Sequence, residues 1–306
     1  MHDTMTMTQL AEKLRAIVGT ESLREREPMS AHTTFKVGGP ARLYVTPRSP
    51  QELRAVLMAC REEDVPRFVL GCGSDLLVAD DGYLGVIVSL TEGLARMEAS
   101  GERIVCGAGV SLKDLCEKAC ELGLSGLEFA CGIPGSVGGA CFMNAGAYGG
   151  CTADVLESVR AYTPEGEEVE LLVDDLAMGY RKSRVRDDGL VVYEATFVLA
   201  PGTPSEIRAT MDDLTAQRTT KQPLEYGSAG STFKRPEGYF AGKLIMDAGL
   251  KGYRVGDAAV STKHAGFVVN LGSASAADVH AVIEHVQAEV QRQFGVHLEP
   301  EVRFLP

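Results

Sequence analysis

The chain has 306 residues, enough for two or three domains or subdomains. Apolar residues make up 45% and charged residues 24%. No apolar run reaches the ~18 residues of a membrane-crossing helix, and the polar N-terminus lacks the layout of a secretion signal. A soluble, cytoplasmic protein without a membrane partner is therefore expected. The formal net charge of -12 disfavours nonspecific nucleic-acid binding, so any anionic ligand needs a local basic pocket.

Residues 1–30 suggest a leading helix followed by a charged connector. A strand is expected over Arg42 to Thr46. Ser49-Pro50-Gln51-Glu52 then forms a capping box with proline at the first helical position, and Leu53, Val56, Leu57 and Cys60 follow at helical spacing. Strand-like runs cover Arg67 to Leu70, Val86 to Leu90 and Ile104 to Gly107. Ser111 to Asp114 opens a second capped helix with Leu112, Leu115, Cys116, Ala119 and Leu122 on one face. Further strands are expected over Ser158 to Thr163, Val191 to Leu199 and Gly266 to Asn270. Thr203-Pro204-Ser205-Glu206 starts a helix to about Arg218, and a long C-terminal helix from near Ser275 buries Val279, Val282, Ile283, Val286 and Val290. The mixture is α+β, with a strand- and glycine-rich region over 31–200 and a second region over 201–306.

The eight cysteines lie between Cys60 and Cys151 without a CxxC pair, and the six histidines are scattered, so no metal site is expected. The cysteines read as reduced, mostly buried small residues. Three basic clusters stand out: Arg181 with Lys182, Arg184 and Arg186; Arg218 with Lys221; and Lys234 with Arg235. Composition alone makes each a solvated surface face.

Two glycine loops could hold phosphate. The first is Gly71-Cys72-Gly73-Ser74-Asp75, directly after a strand. The second runs from Gly132-Ile133-Pro134-Gly135-Ser136-Val137-Gly138-Gly139 to Asn144-Ala145-Gly146-Ala147-Tyr148-Gly149-Gly150, where seven of nineteen residues are glycine. Glycine lets backbone N–H groups wrap an anion without a side chain intervening. Tight turns explain the short loop equally well and the long one poorly. No P-loop or GxGxxG pattern is present, which argues against a Rossmann fold.

Taken together, these segments resemble the UDP-N-acetylenolpyruvoylglucosamine reductase (MurB) family. The matching strings are His32-Thr33-Thr34-Phe35-Lys36-Val37-Gly38-Gly39-Pro40-Ala41, Gly71 to Val78, Gly132 to Ala140, Asn144 to Gly149, Tyr180-Arg181-Lys182-Ser183, Gly230 to Pro236 and Leu298 to Phe304. They occur in the family's order over nearly the whole chain. The resemblance implies an FAD-binding region of the vanillyl-alcohol-oxidase (PCMH) type made of two subdomains, plus a smaller α+β substrate-binding domain. It implies that NADPH reduces FAD, and that hydride then passes to the enolpyruvyl group of UDP-N-acetylglucosamine enolpyruvate to give UDP-N-acetylmuramate.

The resemblance also implies roles. Arg181, Ser231 and Glu301 are catalytic: a carboxylate-binding arginine, a proton donor and a supporting carboxylate. Gly71 to Asp75, Gly132 to Ser136, Gly138, Gly139, Asn144, Ala145, Gly146 and Tyr148 hold FAD. Tyr180, Lys221, Arg235 and His264, with Lys263, face the nucleotide sugar. The short interval between Arg181 and Ser231 resembles the family's second type. Arg235 stands where the family's FKNP motif has asparagine, putting a cation in place of a neutral amide. A monomer is expected. The alternatives are an FAD-dependent oxidase of the same fold and a non-catalytic nucleotide-sugar-binding protein.

Overall fold

The computed structural model describes residues 2–306, with side chains from residue 7 onward. The chain forms two compact units interleaved in sequence: 1–25, 43–72 and 85–217 make the first, and 26–42, 73–84 and 218–306 the second. Among the described residues no helix is long and apolar enough to cross a membrane.

The first unit carries α1 (His2–Val18), α2 (Pro50–Glu62), α3 (Leu112–Glu121), α4 (Val137–Met143), α5 (Arg184–Asp187) and most of α6 (Pro204–Lys221). The Ser49 side chain accepts the Glu52 N–H at the start of α2. The Glu52 carboxylate reaches back one residue further than a capping box requires, to the Arg48 N–H at 2.8 Å. Ser111 caps α3 in the same way, accepting from Asp114 N–H at 3.0 Å. The apolar stripes anticipated for both helices are buried, together with Leu10 and Leu14 of α1, in one core, except that Leu122 falls past the end of α3 at its C-cap and is exposed.

That core also takes one face of a five-stranded antiparallel sheet ordered Glu168–Leu172, Leu156–Tyr162, Val191–Val198, Arg103–Gly107, Met97–Ser100. A four-stranded sheet runs in the order Leu23–Pro28, Pro40–Val45, Tyr83–Ser89, Arg67–Leu70, its last two strands parallel. The connector expected after the leading helix is thus partly a strand. Leu23–Pro28 lies at a sheet edge, where its run of charges can face water while Leu23 is buried.

The second unit has a three-stranded antiparallel sheet, Arg254–Val255, Ala258–Val260 and Val268–Asn270, covered by α7 (Ala241–Asp247) and α8 (Ala276–Phe294). Ser275 and Asp278 form a full capping box on α8, and Val279, Val282, Ile283, Val286 and Val290 are all buried as their spacing dictates. The Asp80 carboxylate accepts the Ala276 and Ala277 N–H groups at 2.8 and 3.0 Å, so the positive end of α8 is already neutralised. The C-terminal strand Arg303–Leu305 pairs in parallel with Leu76–Val78, just after the first glycine loop.

Candidate active site

The glycine loops are close in space although about sixty residues apart in sequence. In the first unit, a Cβ on Gly71 would lie 2.3 Å from Ser136 Oγ, so the loops touch backbone to side chain only because residue 71 has no side chain. The second loop is pinned from beneath: Val137 N–H donates to Val110 O, Gly138 N–H to Ala108 O, and Leu112 N–H to Gly135 O. Ser136 caps α4 by accepting from Gly139 N–H at 3.3 Å. The helix ends at Asn144, which is left-handed at φ 44°. Ala147 and Gly150 then pair across a two-residue turn that puts Tyr148 at its tip, with its hydroxyl donating to Leu214 O at 3.3 Å.

The first loop has the chemistry of an anion cradle. Among the described residues, the N–H groups of Gly71, Cys72, Gly73 and Ser74 donate to no protein oxygen. Such N–H groups need a ligand or water. Successive donors on a loop with glycine at every second position suit the diphosphate of FAD, which the residues present therefore fit. Gly73 is required twice over: its φ is 60°, and a Cβ would lie 2.0 Å from the His32 carbonyl oxygen. Gly73→Ala is expected to lower stability by more than about 1 kcal/mol and to reduce bound flavin. Thermal unfolding and the flavin-to-protein absorbance ratio measure the two effects, and wild-type flavin content would remove this loop from the cofactor site. Burial raises the pKa of the Cys72 thiol, with Asp114 acting in the same sense, so the neutral thiol is favoured beside the cradle.

Tyr180 and Arg181 occupy the centre of a two-residue turn in the first unit, because Gly179 and Lys182 bond to each other in both directions. Arg181 is left-handed at φ 54°, and its guanidinium carbon lies 5.2 Å from the centroid of the exposed Tyr180 ring. The neighbouring cations have partners of their own. Arg184 binds Asp188 and the Asp175 carbonyl, Lys182 lies 3.8 Å from Asp187, and Arg186 donates to the Arg181 carbonyl.

Ser231 and Glu301, in the second unit, belong to paired segments. Glu301 N–H donates to Thr232 O at 2.8 Å, Lys234 N–H to Glu299 O at 2.9 Å, and Phe233 bridges Pro300 antiparallel. On the other side Thr232 N–H donates to Gly266 O, and Thr232 Oγ1 accepts from Val268 N–H. Thr232 is fully buried and Ser231 is exposed. Glu299 ion-pairs with Lys234.

Of the substrate-facing candidates, Lys221 ends α6. Arg235 stacks on the exposed Phe240 ring at 3.8 Å, a contact its motif did not foretell. Lys263 donates to Thr219 O. His264 Nδ1 accepts from Gly266 N–H at 3.1 Å, which puts the proton of the neutral ring on Nε2 as a donor.

Burial lowers the His264 pKa, and Lys251 pushes the same way. The folded state therefore binds this proton less readily than the unfolded chain. Stability from this group is complete above the ordinary value of about 6.5 and is lost as pH falls below it toward the lowered folded value. His264→Gln is expected to flatten the fall in melting temperature over that window. An unchanged profile would show that His264 is not the titrating group.

Residues 222–305 match the family model described as UDP-N-acetylenolpyruvoylglucosamine reductase, C-terminal domain, and residues 41–172 match an FAD binding domain. The UDP-N-acetylenolpyruvoylglucosamine reductase of Lachnoclostridium phytofermentans is 47% identical over 300 residues, 97% of each chain. That of Clostridium beijerinckii is 51% identical over 276 residues, 90% of each chain. The crystal structure of UDP-N-acetylenolpyruvylglucosamine reductase (MurB) from Thermus caldophilus superposes with a TM-score of 0.81 at 38% identity, covering 93% of this chain and all of that one. With these matches over nearly the whole chain, and with both glycine loops, the Arg181 turn and the Thr232–Glu301 pairing in place, the chain belongs to the UDP-N-acetylenolpyruvoylglucosamine reductase family.

Proposed function

We propose that Arg181, Ser231 and Glu301 carry the chemistry of this FAD-dependent oxidoreductase, which uses NADPH to reduce UDP-N-acetylglucosamine enolpyruvate to UDP-N-acetylmuramate in peptidoglycan precursor synthesis. The observation that carries the assignment is the Thr232–Glu301 hydrogen bond, which sets the serine and glutamate of the family motifs on adjacent segments. When bound, FAD relays two electrons from NADPH to the enolpyruvyl double bond. Hydride addition to the terminal carbon leaves negative charge spread onto the neighbouring carboxylate. A planar guanidinium at Arg181 meets that carboxylate with two parallel hydrogen bonds and stabilises the charge as it grows. The Ser231 hydroxyl is a weak acid, suited to a strongly basic carbanion placed close by, and it donates the proton that completes the reduction. Glu301 holds the proton or water that resupplies it.

The backbone donors of Gly71 to Ser74 take the cofactor diphosphate, and residues Gly132 to Ser136, Gly138, Gly139 and Asn144 to Gly146 with Tyr148 shape the surface beside it. Lys221, Arg235 and His264 Nε2–H serve the anionic nucleotide end, with Tyr180 packed on Arg181. The matched ranges support an FAD-binding region within 31–200 and a substrate region within 201–306. The enzyme works as a monomer in the cytoplasm, where NADPH is supplied, and the short Arg181–Ser231 interval assigns it to the second type.

An anaerobic absorbance titration tests the whole assignment. NADPH is expected to bleach the flavin band and the UDP enolpyruvyl sugar to restore it. Recolouring by oxygen alone would make the protein an oxidase, and no flavin band after added FAD would overturn the cofactor assignment.

A further inference from the structure

The turn that carries Arg181 is fastened to the end of α4 by side chains that the catalytic assignment does not use. The Gly179 carbonyl accepts from Lys182 N–H at 3.2 Å and from the Asn144 Nδ2 amide at 3.1 Å. The other end of the Asn144 carboxamide accepts Ala153 N–H at 3.0 Å, so this buried side chain is anchored on both sides. On the far flank the fully buried Ser183 hydroxyl donates to the Phe142 carbonyl at 2.8 Å and accepts Arg186 N–H at 3.4 Å. The Arg186 guanidinium donates to the Arg181 carbonyl at 3.1 Å. Arg181 holds a left-handed backbone that a residue with a side chain rarely adopts, which persists only where its surroundings over-determine it. Phe142 and Asn144 close the helix whose cap, Ser136, lies in the second glycine loop.

We propose that Asn144 and Ser183 are positioning residues for Arg181: through Gly179 O and Phe142 O they fix the left-handed turn to the C-terminal end of α4, and so set the guanidinium relative to the glycine loop that opens the same helix. This rests on Arg181 meeting the substrate carboxylate. A catalytic group held within a fraction of an ångström of its working geometry depends on such supports. The carboxamide of Asn144 is thereby given a task besides any contact with the cofactor. Ser183, in the same motif as Arg181, acts on the turn from the opposite side.

The test uses the full-length holoenzyme and compares, per bound flavin, the rate of bleaching by NADPH with the rate of recolouring by the UDP enolpyruvyl sugar. Asn144→Gly removes the carboxamide while suiting the left-handed backbone. It is expected to lower the ratio of recolouring to bleaching by about 10-fold or more. In an Arg181→Ala background it is expected to lower the ratio no further, since residues that act as one unit are not additive. Ser183→Ala carries the same test if Asn144→Gly does not fold. An equal fall in both rates, a further fall in the Arg181→Ala background, or a loss of flavin content with a normal rate per flavin would each overturn the inference. Wild-type recolouring by Arg181→Ala itself would instead remove the carboxylate role of Arg181 on which the inference rests.

Discussion

Ser231→Ala is expected to fold and hold flavin, but to recolour reduced flavin with the UDP enolpyruvyl sugar about 10³-fold more slowly than the wild type. The expectation separates two tasks that adjoining residues perform. Thr232 does the structural work: its N–H, C=O and hydroxyl are all paired, to Gly266, Glu301 and Val268, and it is fully buried. Ser231 stands exposed beside it, after Gly230 in a left-handed conformation at φ 73°. Deleting one exposed hydroxyl should change stability by no more than about 0.5 kcal/mol, so lost turnover cannot be assigned to unfolding. Thr232→Ala makes the converse variant, removing the acceptor of Val268 N–H from a buried place and lowering the melting temperature. Ser231→Cys restores a proton donor of greater acidity and should recover part of the rate. If Ser231→Ala recoloured as fast as the wild type, the proton would have to come from water or from Glu301, and the serine would be an ordinary turn residue.

The parts of this molecule that were legible in its sequence are those in which one local signal sufficed. The start of α8 near Ser275 and its five buried aliphatic residues were readable because a period of 3.6 lies within one short stretch. The inner strands of the five-stranded sheet were readable as apolar runs. Its edge strands Glu168–Leu172 and Met97–Ser100 were not, because an edge exposes half or more of its residues and accepts charge. The helix α4 was hidden by Gly138 and Gly139, poor helix formers kept for close approach: a Cβ on Gly138 would lie 3.0 Å from that of Ala108. The catalytic candidates came from motifs and not from physical chemistry, since a serine after glycine or an arginine in a basic run has many ordinary uses. The meeting of Gly71 with Ser136, the stacking of Arg235 on Phe240 and the anchoring of Gly179 by Asn144 all depend on tertiary contacts. No spacing encodes them. Interleaving of the two units is invisible for the same reason, because periodicity reports which face of an element is buried and not what buries it.

Arg181→Lys is expected to lower kcat/KM for the UDP enolpyruvyl sugar by about 10²-fold while keeping the positive charge. The basic run around Arg181 invites a simpler account in which all four cations are a solvated face. The structure supports that account for Lys182, Arg184 and Arg186, each engaged with a carboxylate or a carbonyl next to it. Arg181 differs in its place: it occupies the tip of a tight turn in a left-handed conformation and lies against an aromatic ring. Lysine would keep the net charge and the turn but lose the planar fork that grips both carboxylate oxygens and the flat surface that stacks on Tyr180. Tyr180→Phe should preserve most of the rate, because the stack uses the ring, and Tyr180→Ala should raise KM for the nucleotide sugar. If Arg181→Lys turned over at the wild-type rate, charge alone would suffice at this position. The fork, and with it the reason for holding the turn so firmly, would have no part in the reaction.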